Sequence, residues 1–323
     1  MINGKKLVII MGAPRSGTTW LQALLSSHPA ICTHSELWLF SHYTAPMSHA
    51  WHQQERTRQN KHAIGLPSLW TADQLYAYQR EFIARVYADV AAAHPDSTII
   101  LDKTPGYTLH VDHINALVPD AHFIHIIRDG RSAVASRLAA QATWWHMFQF
   151  DATRIARDWT HHVTMGRKAA QFDGRYTEVR YETLLTDGVA ELQRIFAAID
   201  LDIGADEARR IYDAHTIDKM RDRYTHTGDT IAPETVTANG IFVTTPQFYR
   251  RGQADSWDED LSVIQRYDVL RASQPLLREL GYADDRRWWH PSPIVRAILP
   301  VGLAVVRWLN RIRQSATRIL RRA

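Results

Sequence analysis

Short apolar runs separated by helical patterning dominate the first two thirds of the chain. Leu7–Met11, Thr98–Leu101, His122–Ile127 and Tyr176–Arg180 are brief, β-rich and bounded by turn residues, which predicts buried strands. Trp20, Leu21, Leu24 and Leu25 recur at helical spacing after the first run. Leu109–Leu117, closed by Pro119, and Arg131–Ala140 predict helices after the second and third runs. Helical stretches follow near Val189–Ile199 and Ala205–Ala214. Strands alternating with helices imply an α/β fold, a mostly parallel central sheet with helices on both faces. Two segments interrupt the rhythm and read as irregular lid or binding loops: His42–Pro67, rich in His, Gln and Arg, and Asp218–Pro246, rich in Thr and Gly.

No linker-like stretch divides the 323 residues, so one large domain over 1–285 is expected, followed by a distinct tail over 286–323. The tail changes the meaning of the charge. It holds nine Arg and no acidic residue, and taking these nine from the net +4 leaves −5 for the body. The basicity is therefore no argument for nucleic-acid binding. The lone Cys32 excludes an intrachain disulfide and suits a reducing, cytoplasmic compartment. The run after Lys5-Lys6 is too short for a signal peptide, and no segment has the ~20 apolar residues of a membrane span. In the tail, Ile294, Ile298, Val305, Leu309, Ile312, Ala316 and Ile319 alternate with Arg307, Arg311, Arg318 and Arg322, near Trp288, Trp289 and Trp308. A basic amphipathic helix of this kind points to peripheral contact with an anionic membrane surface; docking on the body or a partner is the competing reading.

Gly12-Ala13-Pro14-Arg15-Ser16-Gly17-Thr18-Thr19 joins the first strand to the first helix. Spaced glycines let backbone N–H groups curl around an anion, and the helix N-terminus adds its own. The spacing nearly fits the nucleotide triphosphatase loop, but Thr18 stands where that loop has its Lys. The loss of that cation counts against triphosphate chemistry.

Pro14-Arg15-Ser16-Gly17-Thr18-Thr19-Trp20 resembles the 5′-phosphosulfate loop of the sulfotransferases that use 3′-phosphoadenosine 5′-phosphosulfate (PAPS). The resemblance implies a P-loop-like sulfotransferase fold, Arg15 beside the transferred group, and Trp20 stacked on adenine. Arg128 at the end of the third run, with Ser136 eight residues on, is similar to the family's 3′-phosphate motif. Tyr181-Glu182 resembles its Tyr-Glu pair near the nucleotide, and Arg250-Arg251-Gly252 with Trp257 resembles the loop that closes over the 3′-phosphate. A 3′-phosphate site separates PAPS from ATP.

Sulfonyl transfer needs a base for the acceptor proton and cations for the leaving phosphate. Where many cytosolic members have Lys-Thr-His, this chain has Lys103-Thr104-Pro105, so another base is required. Glu36, after His28-Pro29 and within His34-Ser35-Glu36-Leu37, resembles the Glu base of tyrosylprotein, carbohydrate and bacterial sulfotransferases. The resemblance implies Glu36 as base with Arg15 and Lys103 assisting the bridging oxygen; His34 and Asp102 rank lower. Metal is not expected, since the 17 His form no ligand-spaced cluster. The resemblance leans towards a glycan, lipid-linked or small-molecule acceptor, or a tyrosine. Two rivals stay open: a Mg²⁺-dependent small-molecule kinase using the Gly12–Thr19 loop and Asp102, and a non-catalytic, membrane-associated nucleotide-binding module.

Overall fold

The structure is a computed structural model that describes residues 2, 4–59, 65–143, 150–220, 257–283 and 301–302. Five parallel strands form one sheet: β1 (Lys6–Gly12), β2 (Ile31–Thr33), β3 (Ile99–Lys103), β4 (His122–Ile127) and β5 (Tyr176–Arg180), in the order β2-β3-β1-β4-β5. Four of them fall on the predicted runs; β2, at three residues, is too short to leave a pattern.

Strand periodicity sorts the side chains. Val8, Ile10, Ile99, Leu101, Ile124 and Ile126 face one way, against α1 (Thr18–Leu25), α8 (Gly188–Ala198) and α9 (Ala205–Ala214). Leu7, Ile9, Met11, Ile100 and Phe123 face the other way, against α3 (Ala72–Ala92) and α4 (Val111–Leu117). A further apolar cluster joins α5 (Gly130–Thr143), α6 (Ala152–Gly166) and the helix Val263–Glu279. A parallel sheet buried on both faces requires such near-continuous apolar strands.

Two expectations need correction, and three helices lie where none is expected. The part of His42–Pro67 up to Gln59 is not irregular: a π-helical turn, Leu39–Thr44, leads into α2 (Ala45–Gln59), and residues 60–64 lie outside the described residues. The helix predicted from Leu109 starts at Val111, because Pro105–His110 forms a tighter 3₁₀ turn first. The helices α3, α6 and Val263–Glu279 were not expected at all. The stretch 218–246 lies outside the described residues beyond Met220, and so does nearly all of the tail 286–323. Among the described residues, no helix is long and apolar enough to cross a membrane.

The topology positions the site. From β1 the chain runs out to β2 and returns to β3 on one side of β1, then crosses to β4 on the other. In open parallel sheets the crevice at such a switch, beyond the carboxyl ends of the strands, is where ligands bind. The carboxyl ends of β3, β1 and β4 carry Lys103, Gly12 and, one residue past β4, Arg128.

Candidate active site

Gly12 ends β1 so close to β4 that an added Cβ would sit 2.6 Å from the Ile126 carbonyl oxygen. Only glycine lets the loop leave the sheet there. The loop then turns tightly, with Ser16 N donating to Ala13 O at 3.1 Å, and takes left-handed backbone at Arg15 (φ 74°) and Gly17 (φ 98°). At Gly17 a Cβ would lie 2.6 Å from the Tyr181 ring, so this turn packs directly on the start of α7 (Tyr181–Thr186). No side chain caps the N-terminus of α1, and Ser16 Oγ is fully buried without a hydrogen-bond partner. A buried, unsatisfied hydroxyl beside an uncapped helix start is costly unless a ligand completes it. An anionic oxygen is the group that fits both.

The loop is tied to the end of β4. Arg15 Nε donates to Ser136 Oγ at 3.2 Å, and Arg128 Nη1 donates to Arg15 O at 3.3 Å. The Arg128 guanidinium lies 4.4 Å above the Tyr181 ring, and its main-chain oxygen accepts from Trp159 Nε1 at 3.1 Å. Burial pushes the Tyr181 hydroxyl up, partly countered by the Arg128 charge. Arg15, Ser16, Gly17, Arg128, Ser136 and Tyr181 thus converge on one place. Thr18 and Thr19 open α1 immediately beside it and are buried.

On the opposite flank of β1, Lys103 ends β3, with Ile10 its register partner. Lys103 Nζ donates to Glu36 Oε1 at 2.5 Å, from a side chain 5% exposed to one 30% exposed. The loop carrying Glu36 is anchored by Gln22 of α1, whose Nε2 donates at 2.8 Å to both Thr33 Oγ1 and His34 O. His34 itself is exposed and contacts Ser35. The loop after β2 thus presents one lysine–glutamate pair, its lysine buried and its carboxylate partly exposed.

Asp102 points to the other face of the sheet. Its Oδ2 accepts from Tyr87 OH at 2.7 Å and Tyr107 OH at 3.0 Å, and burial raises its pKa to about 6 despite both hydrogen bonds. Tyr107 OH in turn accepts from Leu39 N at 2.9 Å. This carboxylate is a buried fastener between β3, α3 and the segment after Glu36. Among the described residues, no group of three or more His, Cys, Asp or Glu is arranged to hold a metal.

Other expected residues lie elsewhere. Trp20 is 2% exposed, packed edge-on to Tyr181 at 5.5 Å, with its indole N–H donated to His215 O at 2.7 Å. It presents no free ring face here. Trp257 is fully buried beneath the Arg131 guanidinium, 4.2 Å away. Arg250, Arg251 and Gly252 lie outside the described residues. Glu182 is a brace: it accepts from Asp129 N at 3.0 Å and from Tyr282 OH at 2.8 Å. Sequence reasoning missed Gln22, Tyr87 and Tyr107, whose signal was only a polar group inside an apolar stripe.

The family model described as "Sulfotransferase family" matches residues 8–205, more than half of the chain. The chain belongs to the sulfotransferase family. The match includes the Gly12–Thr19 loop, Glu36, Lys103, Arg128, Ser136 and Tyr181, and ends before Arg250. The chain is 28% identical over 224 residues to the nodulation protein NoeE of Sinorhizobium fredii, covering 61% of this sulfotransferase and 50% of NoeE. It is 26% identical over 200 residues to a putative protein-tyrosine sulfotransferase of Caenorhabditis briggsae, covering 62% of this chain and 67% of that one. It spans about half the length of NoeE and a smaller share of the chicken protein-tyrosine sulfotransferase 2, at 35%. In fold it resembles mouse sulfotransferase SULT7A1, solved in complex with PAP (TM-score 0.55, 15% identity, 85% of this chain and 86% of that one). The sulfotransferase domain from the curacin biosynthetic pathway is similar too (TM-score 0.51, 16% identity, 84% and 97%).

Proposed function

We propose that this sulfotransferase moves the sulfonate of PAPS directly to an acceptor hydroxyl. The observation that carries the reading is the meeting, at three adjacent strand ends, of an anion-shaped loop with a Lys103–Glu36 pair. The loop N–H groups, Ser16, Thr18 and Thr19 would hold the 5′-phosphosulfate, while Arg128, Ser136 and Arg250–Gly252 would hold the 3′-phosphate. Glu36 would take the acceptor proton as the acceptor oxygen attacks sulfur in line. The bond from sulfur to the 5′-phosphate oxygen then breaks, and adenosine 3′,5′-bisphosphate (PAP) leaves. Lys103 has a double use in this scheme. Charge growing on the bridging oxygen draws its ammonium from Glu36, freeing the carboxylate for the proton as Arg15 adds a second positive group.

A kinase would need Asp102 to face the phosphates; its Oδ2 is committed to two tyrosines on the opposite face. The acceptor stays in the class of glycan, lipid-linked or small-molecule hydroxyls and tyrosine. The tail 286–323 is proposed as a membrane-surface element separate from the 1–285 domain. Its test is co-sedimentation with anionic vesicles at low salt, lost by a chain ending at Asp285.

The deciding experiment is calorimetric binding of PAP against ADP and ATP without Mg²⁺. Strong preference for PAP supports the reading, and equal or better ATP binding removes it. Glu36→Gln then separates catalysis from binding: turnover is lost while PAP affinity stays, and retained turnover would end the role given to Glu36.

A further inference from the structure

Trp38, two residues beyond Glu36, has left-handed backbone (φ 55°, ψ 17°) and is 45% exposed. Left-handed backbone is a genuine outlier for a bulky side chain, and strained residues persist only where their surroundings over-determine them. Here they do. Trp38 O accepts from His42 N at 2.8 Å and from Ser41 Oγ at 3.2 Å. The next peptide N–H, Leu39 N, is held by Tyr107 OH, itself fastened to buried Asp102. Bonds on both sides of Trp38, one set reaching buried Asp102, thus fix this backbone, and the indole is braced edge-on by the His42 ring at 4.5 Å. Packing explains only part of this, because nearly half of the residue is left to solvent. Its position explains the rest: the same short segment carries Glu36, whose partner Lys103 ends β3 beside Asp102.

We infer that Trp38 is the platform on which the acceptor ring rests while its hydroxyl reaches Glu36. The inference rests on the proposed sulfonate transfer and narrows its acceptor to a ring-bearing alcohol. The shared chemistry is a flat face of polarised C–H bonds or π-electrons, found on a pyranose or a phenol, laid on the indole. A flexible alkyl alcohol would gain little from such a surface.

The test uses Trp38→Gly, because glycine accepts the left-handed backbone without strain. The variant loses both the strain and the covered part of the ring, so its melting transition serves only to show that it folds. For binding, the full chain is labelled with 5-fluorotryptophan, and the Trp38 resonance is assigned by its loss in the variant. With PAP bound, the protein is titrated with methyl β-D-glucopyranoside and with N-acetyltyrosine amide. A shift of the Trp38 signal with either supports the platform and says which ring it takes, and Trp38→Gly should bind that ring about tenfold more weakly. PAP binding with no Trp38 shift from either ring overturns the platform alone. Failure of PAP itself to bind overturns the sulfonate-transfer reading, and the platform falls with it.

Discussion

Replacing Asp102 by Asn should flatten part of the pH dependence of folding stability. Burial raises the folded pKa of Asp102 from the ordinary 3.8 to about 6, so the native state binds this proton more readily than the unfolded chain. A raised carboxyl pKa means that stability is greatest while the group is protonated and is lost as pH rises through about 6. The gap of about two units costs roughly 3 kcal/mol once the group is ionised in both states, of which about half develops between pH 5 and 8. Asn keeps an oxygen for Tyr87 and Tyr107 but places an amide where Oδ1 has no partner. That orphaned donor costs about 1–3 kcal/mol at every pH, so the absolute stability of the variant decides nothing. The slope does. Urea unfolding of both chains at pH 5, 6, 7 and 8 should show the variant gaining on the parent by about 1–2 kcal/mol across the range. A difference that stays flat, or falls with pH, would refute a buried carboxylate ionising at a cost.

Three further outcomes follow from the geometry. Gly17→Ala puts a Cβ 2.6 Å from the Tyr181 ring on left-handed backbone, and should destabilise the fold by about 3 kcal/mol in thermal unfolding and weaken PAP binding. Arg128→Ala should weaken PAP by about 10- to 100-fold in calorimetry while leaving ADP affinity nearly unchanged, the loss of a charged hydrogen bond to a 3′-phosphate. Glu182→Ala removes the carboxylate that accepts from both Asp129 N–H and Tyr282 OH and should cost about 2–4 kcal/mol by urea unfolding.

What could be read without the structure divides by the kind of side chain that faces inward. Short strands and α9 were legible because their buried positions are apolar. In α2 the buried stripe that begins one residue before the helix is Thr44, Ser48 and Trp51, two of them polar, so a helix looked like a loop. In α3 the inward row is Leu75, Gln79, Ile83, Tyr87 and Ala91, with Tyr78 and Phe82 exposed on the wrong face. Gln79 is satisfied by Thr44 O and Ser48 Oγ, a pairing that exists only after folding. The site divides in the same way. The phosphate loop is contiguous and legible, whereas the Gln22 and Tyr107 anchors of the Glu36 loop are long-range hydrogen bonds with no local signature.

The brace on the Arg128 turn has a consequence for synthesis. Glu182 and Arg131 both bond to Tyr282, so the turn beside the loop is clasped by a residue 100 positions beyond Glu182. During translation the sheet and the phosphate loop can assemble long before that clasp exists. An emerging chain would therefore carry a recognisable but slack nucleotide cradle until the helix Val263–Glu279 folds back. Donor binding should switch on late, near the moment Tyr282 clears the ribosome, which makes the nucleotide a reporter of that clasp.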